Sequence, residues 1–90
     1  MGQQAVVRIV NRQGLHARPI SRFVQTAARF DASITVTGPD GTVADAGSIF
    51  SMMTLAAGQG AELSLAAEGP QAREALDALA RLVAEGFGES

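Results

Sequence analysis

The sequence contains no cysteine, no tryptophan, no tyrosine and no lysine. Without thiols there are no disulfides, no thiolate nucleophile and no cysteine metal site, which fits a reducing compartment. Phenylalanine is the sole aromatic residue, four in a chain that is 47% hydrophobic, so the core has to be mainly aliphatic. With lysine absent, all the basic charge resides in seven scattered arginines against nine acidic residues, a formal net charge of -2. That is not the dense basic footprint on which phosphate-backbone binding depends, and nucleic acid is not expected as a partner. A single histidine, His16, without clustered carboxylates gives a metal centre or a hydrolytic triad nothing to draw on, so neither metal nor cofactor is expected.

Long apolar runs are missing too. The opening MGQQAVVRIV has no basic stretch followed by a long hydrophobic one, so neither a secretory signal nor membrane insertion is expected, and the cytoplasm is the expected location. Val6 stands where a myristoylation signal at Gly2 requires Ser or Thr. At 90 residues the chain is expected to form one domain, residues 1–90, around one modest core.

What is present is clear periodicity. The β-branched run Ala5 to Val10 predicts a first strand, ended by Asn11 and Gly14. After Pro19, Ile20, Phe23, Val24 and Ala27 recur at helical spacing with Arg22, Gln25 and Arg29 between them, an amphipathic helix. Ser33 to Thr37 alternates, and GPDG at 38–41 turns the chain into a short strand from Thr42 to about Ala46. Ser48 is placed to cap two turns of helix that end soon after Leu55. AELSLAA predicts a last strand, and Pro70 suits the first position of a helix whose apolar stripe is Ala72, Ala75, Leu76, Leu79, Leu82 and Val83, stopped by Gly86. The closing GFGES reads as frayed. Strand, helix, strand, strand, short helix, strand, helix is the order of an α+β open-faced sandwich, and a ferredoxin-like split βαβ has nearly the same order.

NRQGLHARP, residues 11–19, holds the histidine. Pro19 lacks an N–H and is tolerated in a first helical turn, so the helix is expected to start at or just after His16. The amides of Ala17 and Arg18 are then unpaired, and with the positive end of the helix dipole and the Arg18 guanidinium they form an anion site. These positive surroundings disfavour the imidazolium, so His16 is expected to be largely neutral at pH 7 and therefore nucleophilic. A phosphoryl group on its ring would gain hydrogen bonds from the helix start and Arg18 while remaining transferable.

GLHARP, following a β-rich start and preceding a helix, resembles the active-site signature of HPr, the histidine-containing phosphocarrier of the bacterial phosphotransferase system, and SIFSMMTLAAGQG resembles that family's second signature. The resemblance covers the whole chain. It implies a four-stranded antiparallel sheet covered on one face by three helices, choosing between the two folds left open above. It further implies that His16 accepts a phosphoryl group from enzyme I as a pros-phosphohistidine and passes it to an enzyme IIA component, that Arg18 stabilises the phosphate, and that the protein is a carrier without turnover of its own. Ser48 stands at the family's regulatory serine, the target in some bacteria of an HPr kinase/phosphorylase, and equally reads as a plain helix cap. Ile20, Ile49, Phe50, Met53 and Leu55 correspond to the apolar docking surface, with Thr54 and Gln59 at its rim. A monomer is expected.

The chain departs from the family pattern in three places: Ile20 replaces a small residue after the signature proline, Gly47 replaces a basic one, and the lysines that often ring the surface are missing. Their loss points to differently tuned encounter with enzyme I and keeps a nitrogen-regulatory paralogue in view. A binding module regulated through Ser48, with His16 incidental, is the reading from a different class. A ferredoxin-like domain binding RNA or metal lacks the basic and aromatic surface and the ligand clusters it would need.

Overall fold

The computed structural model describes residues 2–89. Its elements are β1 (Gln3–Arg8), α1 (Ala17–Ala27), β2 (Ser33–Thr37), β3 (Val43–Asp45), α2 (Ile49–Met52), β4 (Glu62–Glu68) and α3 (Ala72–Ala84), followed by a tight turn at Gly86–Gly88. The strands form one antiparallel sheet in the order β1-β4-β2-β3, with Ala5 opposite Leu65 and Thr35 opposite Ala66. This is the open-faced α+β sandwich with three helices. Because side chains alternate across a strand, Val7, Ile34, Val36, Leu63, Leu65 and Ala67 all point to one face and are buried. α1 covers them with Pro19, Ile20, Phe23 and Ala27, and α3 with Ala72, Ala75, Leu76, Leu79 and Val83. Among the described residues no helix is long and apolar enough to cross a membrane.

Several boundaries differ from those read in the sequence. β1 lies two residues earlier than Ala5–Val10, because Gln3 and Gln4 find partners in Ala67 and Ala66 and the strand pairing stops at Arg8 opposite Glu62. β3 is shorter than Thr42–Ala46, since its pairing with β2 spans only Val43 to Asp45. α2 is one turn instead of two: beyond Met52 the chain bends so that Leu55 drops into the core. α3 begins at Ala72, two residues past Pro70, with Gln71 at the cap position and its Oε1 accepting from the Asp31 amide at 2.8 Å. Pro70 belongs to the preceding turn.

The largest correction is at the end of the chain. Residues 86–89 of the segment expected to fray are docked, and Ser90 lies outside the described residues. Phe87 is completely buried, held in a left-handed conformation (φ 58°, ψ 23°) between Gly86 (φ 64°) and Gly88 (φ 77°). Glycine at 88 meets the left-handed backbone angle that a side chain would strain. Apolar burial offsets the unusual angle at Phe87.

Phe23, on α1, is completely buried in the core. Phe23→Ala is expected to lower the free energy of unfolding by about 3–5 kcal/mol. Urea unfolding followed by circular dichroism measures this directly, since the chain has no Trp or Tyr to report by fluorescence.

Candidate functional site

The loop between β1 and α1 is fastened before it reaches His16. Ile9 and the segment at Gly60 and Ala61 exchange backbone hydrogen bonds of 2.7 and 2.8 Å, and the Leu15 amide donates to the Ala57 carbonyl at 2.9 Å. Gly14 makes that approach possible: its φ is +72°, and a β-carbon there would lie 2.6 Å from the Ala57 oxygen. Inside the loop, Asn11 Nδ2 donates to the Gly14 carbonyl at 2.8 Å and the Gly14 amide donates to the Asn11 carbonyl at 3.2 Å. Leu15 is buried, so its neighbour His16 is turned outward. Gln59 Nε2 donates to the Val10 carbonyl at 3.1 Å and braces the start of the same loop.

His16 is the N-cap residue of α1, with extended backbone and no capping hydrogen bond from its side chain. The ring is left for other contacts. The first helical bond runs from the Ile20 amide to the His16 carbonyl at 3.0 Å, Pro19 has no N–H, and among the described residues the Ala17 and Arg18 amides have no partner. The first turn holds no acidic residue. An open cleft of about 680 Å³ lies in front of these amides, with the arginines 12, 18 and 22 around it. Free amides, a helix dipole and guanidiniums converge on one partly exposed imidazole, whose side chain keeps 35% of its accessible surface. The arrangement can seat a tetrahedral anion bonded to the ring.

One group in the cleft was not legible in the sequence. Glu89 Oε1 lies 3.2 Å from His16 Nε2 and accepts from Asn11 Nδ2 at 3.1 Å, its side chain only 19% exposed. The surroundings of His16 are therefore not wholly positive, contrary to the expectation from the helix start alone. Partial burial raises the Glu89 pKa, but hydrogen bonds from His16 and Asn11 and the positive charge of His16 and Arg18 lower it by more, and the net direction is down. Glu89 lies far from His16 in the chain, so no spacing rule connects them; the available signal was Phe87, a large apolar residue in a segment otherwise read as frayed.

The other expected site residues divide. Ile49, Phe50 and Met53 are exposed, Phe50 to 86%. Ile20 and Leu55, expected on the same surface, are only 2% and 4% exposed, because each contributes to the buried core. Ser48 Oγ accepts from the Ser51 amide at 3.2 Å and caps α2, while Ser51 Oγ accepts from the Asp45 amide at 2.8 Å. Thr54 is exposed beside them, its hydroxyl donating to the Ser51 carbonyl at 2.6 Å.

A family model described as the phosphotransferase-system HPr component phosphorylation site matches residues 3–85. The chain belongs to the HPr phosphocarrier family. It is 46% identical to the phosphocarrier protein HPr of Treponema pallidum over 92% of this chain and 93% of that one. It is 35% identical to the phosphocarrier protein NPr of Klebsiella oxytoca over 99% of both chains. The crystal structure of an HPr from Thermoanaerobacter tengcongensis superimposes with a TM-score of 0.91 at 41% identity, covering 98% of each chain. The chain is thus a phosphocarrier of the phosphotransferase system, within a family that includes both HPr and NPr.

The lowered pKa of Glu89 sets an acid limit on its contact with His16 and Asn11. A carboxyl whose folded value is depressed contributes stability above its unfolded value, here near 4.5, and that contribution is lost as pH falls through the folded value. Carbon-13 titration of the Glu89 carboxyl is expected to give a midpoint below 4.5, with the Asn11 side-chain amide signals shifting in the same step.

Proposed function

We propose that His16 is the phosphoryl acceptor, charged by phosphorylated enzyme I and discharged to an enzyme IIA component. The observation that carries this is an N-cap histidine that makes no cap, its ring beside two unpaired amides and Arg18. In this reading the Ala17 and Arg18 amides and the Arg18 guanidinium hold the phosphate oxygens, and the protein turns over nothing by itself. Such a carrier acts as a cytoplasmic monomer, which the partners' surfaces meet in turn.

The docking surface reduces to Ile49, Phe50 and Met53, the three of the five expected apolar residues that are exposed. Ser48 is their regulatory neighbour: a phosphate on its Oγ would add charge beside this patch, and an HPr kinase/phosphorylase is the class of enzyme that would place it. The match to NPr extends over nearly all of both chains, and it favours a nitrogen-regulatory carrier as the second reading. The two readings share the His16 chemistry and differ in which enzyme I and which acceptor are used.

Incubation with enzyme I and phosphoenolpyruvate is expected to add one acid-labile, base-stable phosphate, absent in His16→Ala. Arg18→Ala is expected to keep the fold and slow transfer roughly ten- to a hundredfold. No labelling by the enzyme I encoded in the same genome would count against the proposal. Phe50→Ala is expected to weaken enzyme I binding roughly tenfold, as loss of an aromatic anchor does, with circular dichroism unchanged; isothermal titration calorimetry reads the affinity.

A further inference from the structure

Glu89 holds the ring of His16 by a contact that constrains its proton. An ionised carboxylate accepts hydrogen bonds and donates none, so at 3.2 Å from Glu89 Oε1 the Nε2 atom of His16 must be the donor. The lowered pKa of Glu89 keeps the carboxylate ionised at neutral pH. A neutral imidazole has one N–H. With that hydrogen on Nε2, Nδ1 carries the lone pair, and among the described residues Nδ1 has no hydrogen-bond partner.

The carboxylate is built into place and is not a wandering counter-ion. Its Oε1 also accepts from Asn11 Nδ2 at 3.1 Å, and Asn11, 5% exposed, is fixed by its bond to the Gly14 carbonyl. Behind Glu89 the chain is anchored by buried Phe87, whose carbonyl accepts from Arg22 Nη1 at 2.9 Å. The same carboxylate covers Nε2 and leaves Nδ1 as the open nitrogen.

Taking His16 as the acceptor, as proposed above, we infer that Glu89 is a positioning residue that holds the ring proton on Nε2 and so selects Nδ1 as the nitrogen that takes the phosphoryl group. In the transfer, the Nδ1 lone pair forms the new N–P bond as the bond between phosphorus and the donor's leaving atom breaks, and that departing atom keeps the electron pair. The His16 ring becomes positively charged while its Nε2–H remains in place. Glu89 faces that charge, and no proton has to leave for the step to proceed.

Nitrogen-15 spectra of the His16 ring in the unphosphorylated protein test the tautomer without any phosphorylation step. Wild type is expected to show the hydrogen on Nε2. Glu89→Ala is expected to shift the tautomer ratio toward Nδ1–H by roughly tenfold, the weight of one charge-assisted hydrogen bond. Glu89→Gln, whose amide oxygen still accepts, is expected to keep the wild-type tautomer. Treatment with phosphoramidate, a small donor that needs no partner protein, is expected to give the Nδ1 isomer alone in wild type and a mixture with the Nε2 isomer in Glu89→Ala. A wild-type ring with its hydrogen on Nδ1, a Glu89→Ala tautomer ratio equal to that of wild type, or a Gln variant that behaves like Ala would overturn the assignment. Failure of phosphoramidate to modify wild-type His16 would instead count against His16 as the acceptor, and the tautomer spectra would still decide the role of Glu89.

Discussion

The site depends on a helix start that is left uncapped. An Asp, Ser or Thr at the N-cap of α1 would satisfy a backbone amide and stabilise the helix by about 1 kcal/mol. The chain places a histidine there, and its ring makes no hydrogen bond to the helix backbone. With Pro19 in the first turn, the two donors that remain, on Ala17 and Arg18, have no partner among the described residues. Stability forgone at this end of α1 is supplied elsewhere, by Phe23 and Ile20 in the core and by the bond from Leu15 to Ala57 that fixes the entry angle of the chain.

A cleft lined by arginines 12, 18 and 22 brings like charge together, which a folded protein has to balance. Glu89 does so from within, bringing one carboxylate to the ring of His16 and to Asn11. It occupies one side of the imidazole and leaves the amides of the helix start open. The tail that delivers it needs no helix of its own: a buried aromatic, two glycines in left-handed conformation and one bond from Arg22 are sufficient. The same contacts join α1 to the end of α3, so the geometry of the site and the docking of the chain terminus are coupled.

Much of this is legible in the sequence alone. Alternation in β2 and β4 and the apolar stripes of α1 and α3 identify the elements that form the core, and the position of Pro19 locates the helix start beside His16. Ends of elements were less legible, because they are set by the partner strand: no local pattern says that Gln3 and Gln4 will pair with Ala67 and Ala66. Ile20 and Leu55 were assigned to a surface by the motif in which they stand, and three-dimensional packing assigned them to the core. The sequence carries the type of a residue on its own; which of two apolar neighbours faces inward depends on how far the chain turns before it meets the sheet.

Glu89 illustrates the deeper limit. GFGES is too short to hold itself in place by local contacts, and a segment of that kind is ordered only by what it docks on. Here the dock consists of groups from distant parts of the chain: Arg22 on α1 accommodates Gly88 and binds the Phe87 carbonyl, and Asn11 in the first loop receives the carboxylate. The glycines on either side of Phe87 permit the order, since Gly86 (φ 64°) and Gly88 (φ 77°) adopt left-handed backbone angles that other residues take up only with strain. A lone aromatic between two glycines at the end of a chain is therefore better read as an anchor seeking a pocket than as a fraying end, and whatever charged residue follows it is carried to wherever that pocket lies.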